Sequence, residues 1–277
     1  MMNFDGMLEQ AAIGELVNVE PGWGQGRATF GGLLGALIVA HLQANLPRQN
    51  TEANSLNAAL RALTISFVAP VETGQVSITS QVLRTGKSVT QMLCMLKQND
   101  QVCVSALASF GLARSSSIGV PALVAPMIAG PETGKLLPRM SGVAPEFTQL
   151  IDFGFIDGDL PFTAATTSHI DGWMRWNEKA GARPAQARYA DLVALIDAWP
   201  PAVLQMLRQP TPSSSLTWTL EFPAIDQPQL ANEANPWWQY RAVTESAHNG
   251  YAHIAAHCWD SAGQLVAISR QTAAVFG

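Results

Sequence analysis

Residues 33–46 (LLGALIVAHLQANL) are apolar on nearly every side when wound as a helix. No face is left for water, and the run is too short to cross a bilayer. Such a helix needs protein wrapped around it. Gly31-Gly32 precedes it and Pro47 closes it. Four strand-like stretches follow. Residues 60–69 end at Pro70, and 74–83 alternate Val76, Ile78 and Val82 against Ser77, Thr79 and Gln81. A turn at 85–88 leads into 89–97, and Asn99-Asp100 turns the chain into 102–113. One buried helix followed by consecutive antiparallel strands predicts an α+β fold whose sheet curls around the helix.

Residues 115–150 carry Ser115-Ser116-Ser117, several Pro and Gly and little periodicity, which predicts a linker. The second half then repeats the first. Residues 166–176 read as a strand, and 186–207 as a helix broken or kinked at Pro200-Pro201. Strands are expected at 215–222, 237–246, 250–259 and 264–275. The run 101–106 (QVCVSA) superposes on 264–269 (QLVAIS), which sets the turn at Gly86 against Asn249-Gly250. Two tandem copies predict a fused pseudo-dimer, with an N-terminal domain at 1–114 and a C-terminal domain at 151–277.

An apolar fraction of 48% fills a substantial core, and a formal charge of −5 without a basic cluster speaks against a nucleic-acid partner. Cys94, Cys103 and Cys258 are isolated, without zinc-ligand or CxxC spacing, and read as buried small hydrophobes. The first ten residues (MMNFDGMLEQ) have no basic region followed by an apolar core, so no signal peptide is expected. No run is long enough for a membrane span, and a cytoplasmic protein is expected.

Several signals suggest chemistry and lack its context. The glycines at 22, 24, 26, 31 and 32 lack dinucleotide-loop spacing and no βαβ unit follows. Gly86-Lys87-Ser88 resembles the tail of a phosphate loop, but the first glycine would fall at Gln81, so it reads as a hairpin turn. His253 and His257 have helical spacing but lie in a strand, which disfavours shared metal ligation. No Gly-x-Ser-x-Gly elbow is present. Neither a metal nor a cofactor is expected.

The order of motifs resembles the type II acyl-CoA thioesterases, the double-hotdog thioesterases. In the first half the resemblance rests on 30–35 (FGGLLG), Ser66-Phe67 with Pro70 and Gly74, 83–88 (LRTGKS) and 106–110 (ALASF). In the second half it rests on 189–192 (YADL), the strand from Ser215, and Asp260 through Gln271. The resemblance implies a tandem double hotdog, two antiparallel sheets each around a central helix, acting on acyl-CoA. It also implies a site of one Asp near the start of the second helix, one Thr on the next strand and one Gln on the last strand, together activating a water. By motif these are Asp191 and Gln271. The Thr position falls on Ser215 if strand alternation is kept, or on Ser213 if the following proline is aligned; Ser keeps the hydroxyl and loses a methyl.

The residues themselves allow this and also plainer readings. Leu265, Ala267, Ser269, Gln271 and Ala273 share one strand face, where an amide needs a partner. The polar residues Arg270 and Thr272 leave an outward-facing Gln271 open as well. Ser215 falls with Thr217, Thr219 and Glu221, a pattern also expected of a solvated face. Asp191 lies in the first turns of its helix, where the dipole favours a carboxylate. Aligning the halves places Ala108 opposite Gln271 and Leu60 opposite Ser215, and 33–46 contains no carboxylate. One site per chain is therefore expected, with Gly31 and Gly32 as candidate oxyanion donors across the interface. Acyl-CoA is the expected partner and a homo-oligomer the expected assembly. A hotdog hydratase would pair the Asp with a His five residues on, where position 196 is Ile; a non-catalytic acyl-CoA binding protein is the other alternative.

Overall fold

The computed structural model describes residues 3–47, 58–136, 144–223 and 235–276. Its first half contains α1 (Phe4–Ile13), β1 (Leu16–Val19), a small hairpin of β2 (Gly24–Gln25) and β3 (Ala28–Thr29), α2 (Gly31–Ala44), β4 (Ala59–Phe67), β5 (Gly74–Thr85), β6 (Val89–Gln98) and β7 (Gln101–Gly111). The second contains β8 (Lys135–Leu136), β9 (Ile151–Gly158), β10 (His169–Trp176), α3 (Tyr189–Ile196), β11 (Ser213–Glu221), β12 (Trp238–His248), β13 (Tyr251–Trp259) and β14 (Leu265–Val275).

Twelve of the strands form one antiparallel sheet, in the order β1-β5-β6-β7-β4-β11-β14-β13-β12-β10-β9-β8. The order β5-β6-β7-β4 is mirrored by β12-β13-β14-β11, so the tandem repeat in the sequence is a repeat in space. The halves meet edge to edge where β4 pairs with β11, from Thr217↔Ser66 to Glu221↔Ala62. Two antiparallel sheets joined edge to edge were expected, and pairing across this seam joins them into one continuous sheet.

α2 is buried from Gly32 to Val39 and again at His41 and Leu42, as its all-round apolar sequence requires. It packs on α1, on α3 and on the inner faces of β5, β6 and β7. His41 is a tie inside this core. Its Nδ1–H donates to the Ala11 carbonyl at 2.9 Å, which leaves Nε2 to accept from the Ser80 hydroxyl at 3.2 Å. The three cysteines are buried and unpaired, and burial pushes the Cys94 thiol up to about 12.

The structure corrects the expected helix at 186–207. α3 covers only eight residues, Asp197 caps it, and Ala202–Met206 is a short 3₁₀ turn. Pro200 and Pro201 lack amide hydrogens and disfavour helical backbone before them, so the helix stops ahead of Trp199. Further elements lay outside the expected set, among them α1, β1, the β2–β3 hairpin and β9. α1 carries Phe4, Met7, Leu8 and Ala11 on its buried face; β1 and β9 extend the two flanks of the sheet. Part of the expected linker also joins the sheet, since β8 pairs with β9; residues 137–143 of it lie outside the described residues.

Candidate active site

α2 and α3 approach closely because glycines face the contact. A Cβ on Gly32 would come 2.7 Å from the Ala194 carbonyl oxygen, and one on Gly35 would come 2.9 Å from Val193 Cγ1. This contact sets the first turn of α2 beside the residue that caps α3, Asp197. The Gly32 N–H donates to the Asp197 carboxylate, and a Cβ on Gly31 would lie 2.8 Å from Asp197 Oδ2. α2 has no side-chain cap of its own, so a carboxylate from the other half of the chain serves one of its unpaired amides.

Gln271 completes the cluster from β14. Its Nε2 donates to Asp197 Oδ1 at 3.1 Å and to Ser215 Oγ at 2.8 Å. Both amide hydrogens are thereby committed. The Ser215 hydroxyl hydrogen and the Gln271 carbonyl oxygen remain for a third partner.

Ser215 reaches this position through a β-bulge. β11 pairs with β14 as Ser215↔Ala273 and then Thr217↔Thr272, so Leu216 is the extra residue. Strict alternation would put Ser215 with Thr217 and Thr219, away from the core. The bulge turns it to the face of Trp218, which lies opposite Gln271. Ser213, the alternative hydroxyl, pairs with Val275 at the strand's start and makes no bond to Gln271.

Asp197 is largely enclosed by protein, with part of its surface still touching solvent. Burial pushes its carboxyl up to about 7, against the lowering effect of the Gln271 and Gly32 hydrogen bonds. A carboxyl titrating near neutrality can take up and return a proton there.

Asp191 does not join this cluster. It sits in the first turn of α3, where its carboxylate accepts from the Arg188 backbone N–H at 3.2 Å in a capping box. It is also ion-paired to Arg183 and, at 2.7 Å, to Arg188 Nε. Both arginines reach Asp5 as well, at 3.0 and 2.5 Å, which ties α1 to α3. All its strong partners are cations or cap donors, so the carboxylate that the motif placed at 191 is replaced in the cluster by Asp197. The clue in the sequence was position: Asp197 directly precedes Ala198-Trp199-Pro200-Pro201, where the helix has to end. The Gly32 N–H, expected as an oxyanion donor, donates to Asp197 here.

Asp197 and Gln271 open onto a pocket between the end of α3 and the inner face of β12–β14. None of the five histidines lines it. Elsewhere Asp157, His169 and Asp171 gather as possible metal ligands, but both Asp171 oxygens are taken by Arg241, at 2.6 and 2.9 Å.

Residues 128–275 match the model of the acyl-CoA thioesterase C-terminal domain, and residues 19–111 that of the acyl-CoA thioesterase N-terminal domain. The chain belongs to the acyl-CoA thioesterase family. Hydrolysis of a thioester is the general activity that this membership carries. Solved structures agree on the fold. A protein of unknown function with a hot dog fold from Alicyclobacillus acidocaldarius is 21% identical at a TM-score of 0.77, covering 98% of each chain. A candidate thioesterase II from Thermobifida fusca YX is 21% identical at 0.80, covering 100% of this chain and 98% of the other. An acyl-CoA thioesterase II from Mycobacterium marinum is 17% identical at 0.70, covering 97% and 98%. Among curated proteins no sequence matches this thioesterase-family chain. Among its described residues no helix is long and apolar enough to cross a membrane.

Proposed function

We propose that this chain hydrolyses acyl-CoA thioesters by direct attack of a water activated at Asp197. The observation that carries the reading is a single bridge: Gln271 joins a carboxyl titrating near 7 to a hydroxyl, at a small pocket that Trp199, Tyr240, Ala242, Ile254 and Ala256 also line. Asp197 takes a proton from the water as its oxygen bonds to the thioester carbon. The Ser215 hydroxyl donates to the water's oxygen, and Gln271 fixes Asp197 and Ser215 relative to each other. Collapse of the tetrahedral intermediate breaks the carbon–sulfur bond, and protonated Asp197 returns its proton to the departing thiolate. No covalent enzyme intermediate is needed. Gly31, at the uncapped start of α2 beside Asp197, would offer its N–H to the carbonyl oxygen as it gains charge.

The architecture behind this reading is a tandem double hotdog, with domains at 1–114 and 151–277 joined through 115–150. The site uses both halves, because α2 belongs to the first and Asp197, Ser215 and Gln271 to the second. The pocket without histidine speaks against the hydratase alternative. Thiol release from a panel of acyl-CoAs tests the proposal: the wild-type protein should turn over at least one of them, and Asp197→Asn should lower that rate by roughly 10²–10⁴-fold. A wild-type protein that binds acyl-CoA without releasing thiol would instead be a non-catalytic binding protein.

A further inference from the structure

The pocket beside Asp197 is nearly filled. Ala242 and Ala256 stand directly opposite each other on β12 and β13, both buried, and form part of its wall with Ile254. Trp199 and Tyr240 close it, their rings stacked at 5.5 Å and 2°. What remains is ≈ 10 Å³ of room for the centre of a water-sized sphere. That is about the space one water occupies.

The closure is fixed in place. Trp199 is 5% exposed, and its Nε1–H points at Met174 Sδ at 3.1 Å. Phe153 meets its ring edge-on at 5.0 Å. On β10, Gly172 leaves space that a side chain would fill, since a Cβ there would come 2.7 Å from Trp199 Cη2. Held by so many neighbours, the indole cannot swing aside without displacing packed core.

We infer that the substrates are thioesters of short acyl groups, about two carbons long, because a single methyl needs roughly the volume of one water. This rests on the hydrolase reading above. A thioester carbonyl at Asp197 has two substituents. The long polar arm bearing sulfur has to leave through the solvent-facing mouth, so only the acyl group can enter a wall of alanine and isoleucine. A longer chain meets the stacked rings of Trp199 and Tyr240, which set the limit.

The test measures kcat/KM for acetyl-, butyryl-, octanoyl- and palmitoyl-CoA by thiol release. The wild-type protein should favour the better of the two short substrates over octanoyl-CoA by about 10²-fold or more, the scale on which an apolar pocket excludes excess methylenes. Trp199→Leu should move the optimum to longer chains. Because loss of a buried indole can unfold the chain, wild-type affinities for the thioethers S-butyl-CoA and S-octyl-CoA provide an independent reading, with butyl expected to bind tighter. Octanoyl- or palmitoyl-CoA turned over as fast as butyryl-CoA would overturn the inference. If no thioester is turned over, the hydrolase reading fails, and the thioether pair still decides the pocket: equal or tighter octyl binding overturns it.

Discussion

Gln271 Nε2 reaches Asp197 Oδ1 at 3.1 Å, joining the last strand of the sheet to the end of α3. At the other end of the same helix, Asp191 is locked between Arg183 and Arg188. The two carboxylates therefore differ in what their loss would do. Asp197→Asn keeps an acceptor for the Gly32 N–H and loses the proton acceptor. Its turnover should fall by roughly 10²–10⁴-fold while its melting temperature holds or rises. Asp191→Asn leaves Arg183, nearly buried, with Asp5 as its remaining carboxylate; the loss should cost less than the roughly 3–5 kcal/mol of a fully orphaned buried charge. Its melting temperature should fall, while the turnover of the protein that stays folded remains close to wild type. A fall in turnover for folded Asp191→Asn as large as that for Asp197→Asn would reverse the assignment.

The same carboxyl predicts a pH dependence of rate and stability with opposite signs. Asp197 has to be ionised to accept a proton, so kcat/KM should rise with pH through about 7 and level off above it. Its folded-state value is raised from 3.8 to about 7, so between these the folded chain holds a proton that the unfolded chain has lost. The contribution of Asp197 to stability therefore falls as pH rises from about 4 to about 7. Asp197→Asn removes this term. The variant should be more stable than wild type at pH 8, on the order of 1–2 kcal/mol after allowance for solvent contact, and the gap should close towards pH 4. Melting curves of both proteins across that range, set beside the wild-type rate profile, check both signs.

Ser215 depends on the extra residue Leu216 as much as on its own hydroxyl. Ser215→Ala removes the donor to the water and should cost about 10²–10³-fold in turnover. Ser215→Thr restores it with an added methyl and should recover most of the rate. Deleting Leu216 would remove the bulge and carry Ser215 to the face of Thr217 and Thr219. That variant should resemble Ser215→Ala in rate although the serine is still present. A bulge deletion with full activity would show that the hydroxyl is not used.

These residues also show what the sequence could convey. Alternation and turn residues located the strands of both halves, and the all-round apolar character of 33–46 required a wrapped helix. Gln271 was legible because its strand face is otherwise small and apolar. Ser215 was found by motif, but strict alternation pointed it outward, since a bulge leaves no mark in a pattern of period two. Asp197 was missed because helix length was read across Pro200-Pro201. Its partners, Gly32 on α2 and Gln271 on β14, are distant in sequence and meet only when the halves pack. Asp191 fits the motif by position, but a carboxylate in a helix's first turn is also favoured there for capping alone, and in the structure it caps α3.

The two halves share one strand order but not one chemistry, which leads to the last prediction. Ala108 on β7 takes the place that Gln271 holds on β14, fully buried and opposite Leu63. The cap residue after α2 is Asn45, exposed, with its amide donating to the His41 carbonyl at 2.9 Å, where α3 ends on Asp197. Neither position offers a proton acceptor, so only the C-terminal end of the pseudo-dimer can activate a water as proposed. Ala108→Ser should keep turnover within about twofold of wild type, while the buried hydroxyl costs about 1–3 kcal/mol of stability. Gln271→Ala should do the reverse. It releases both Asp197 and Ser215, and turnover should drop by about 10²–10³-fold. Affinity for an acyl-CoA thioether should change less than turnover, because the amide's hydrogen bonds go to the two site residues, although Gln271 also lines the pocket. Rate, thioether affinity and melting temperature measured on both variants separate the readings. A stable Gln271→Ala protein with full activity, or a stable Ala108→Ser protein with activity lost, would show that the site is not the one at the end of α3.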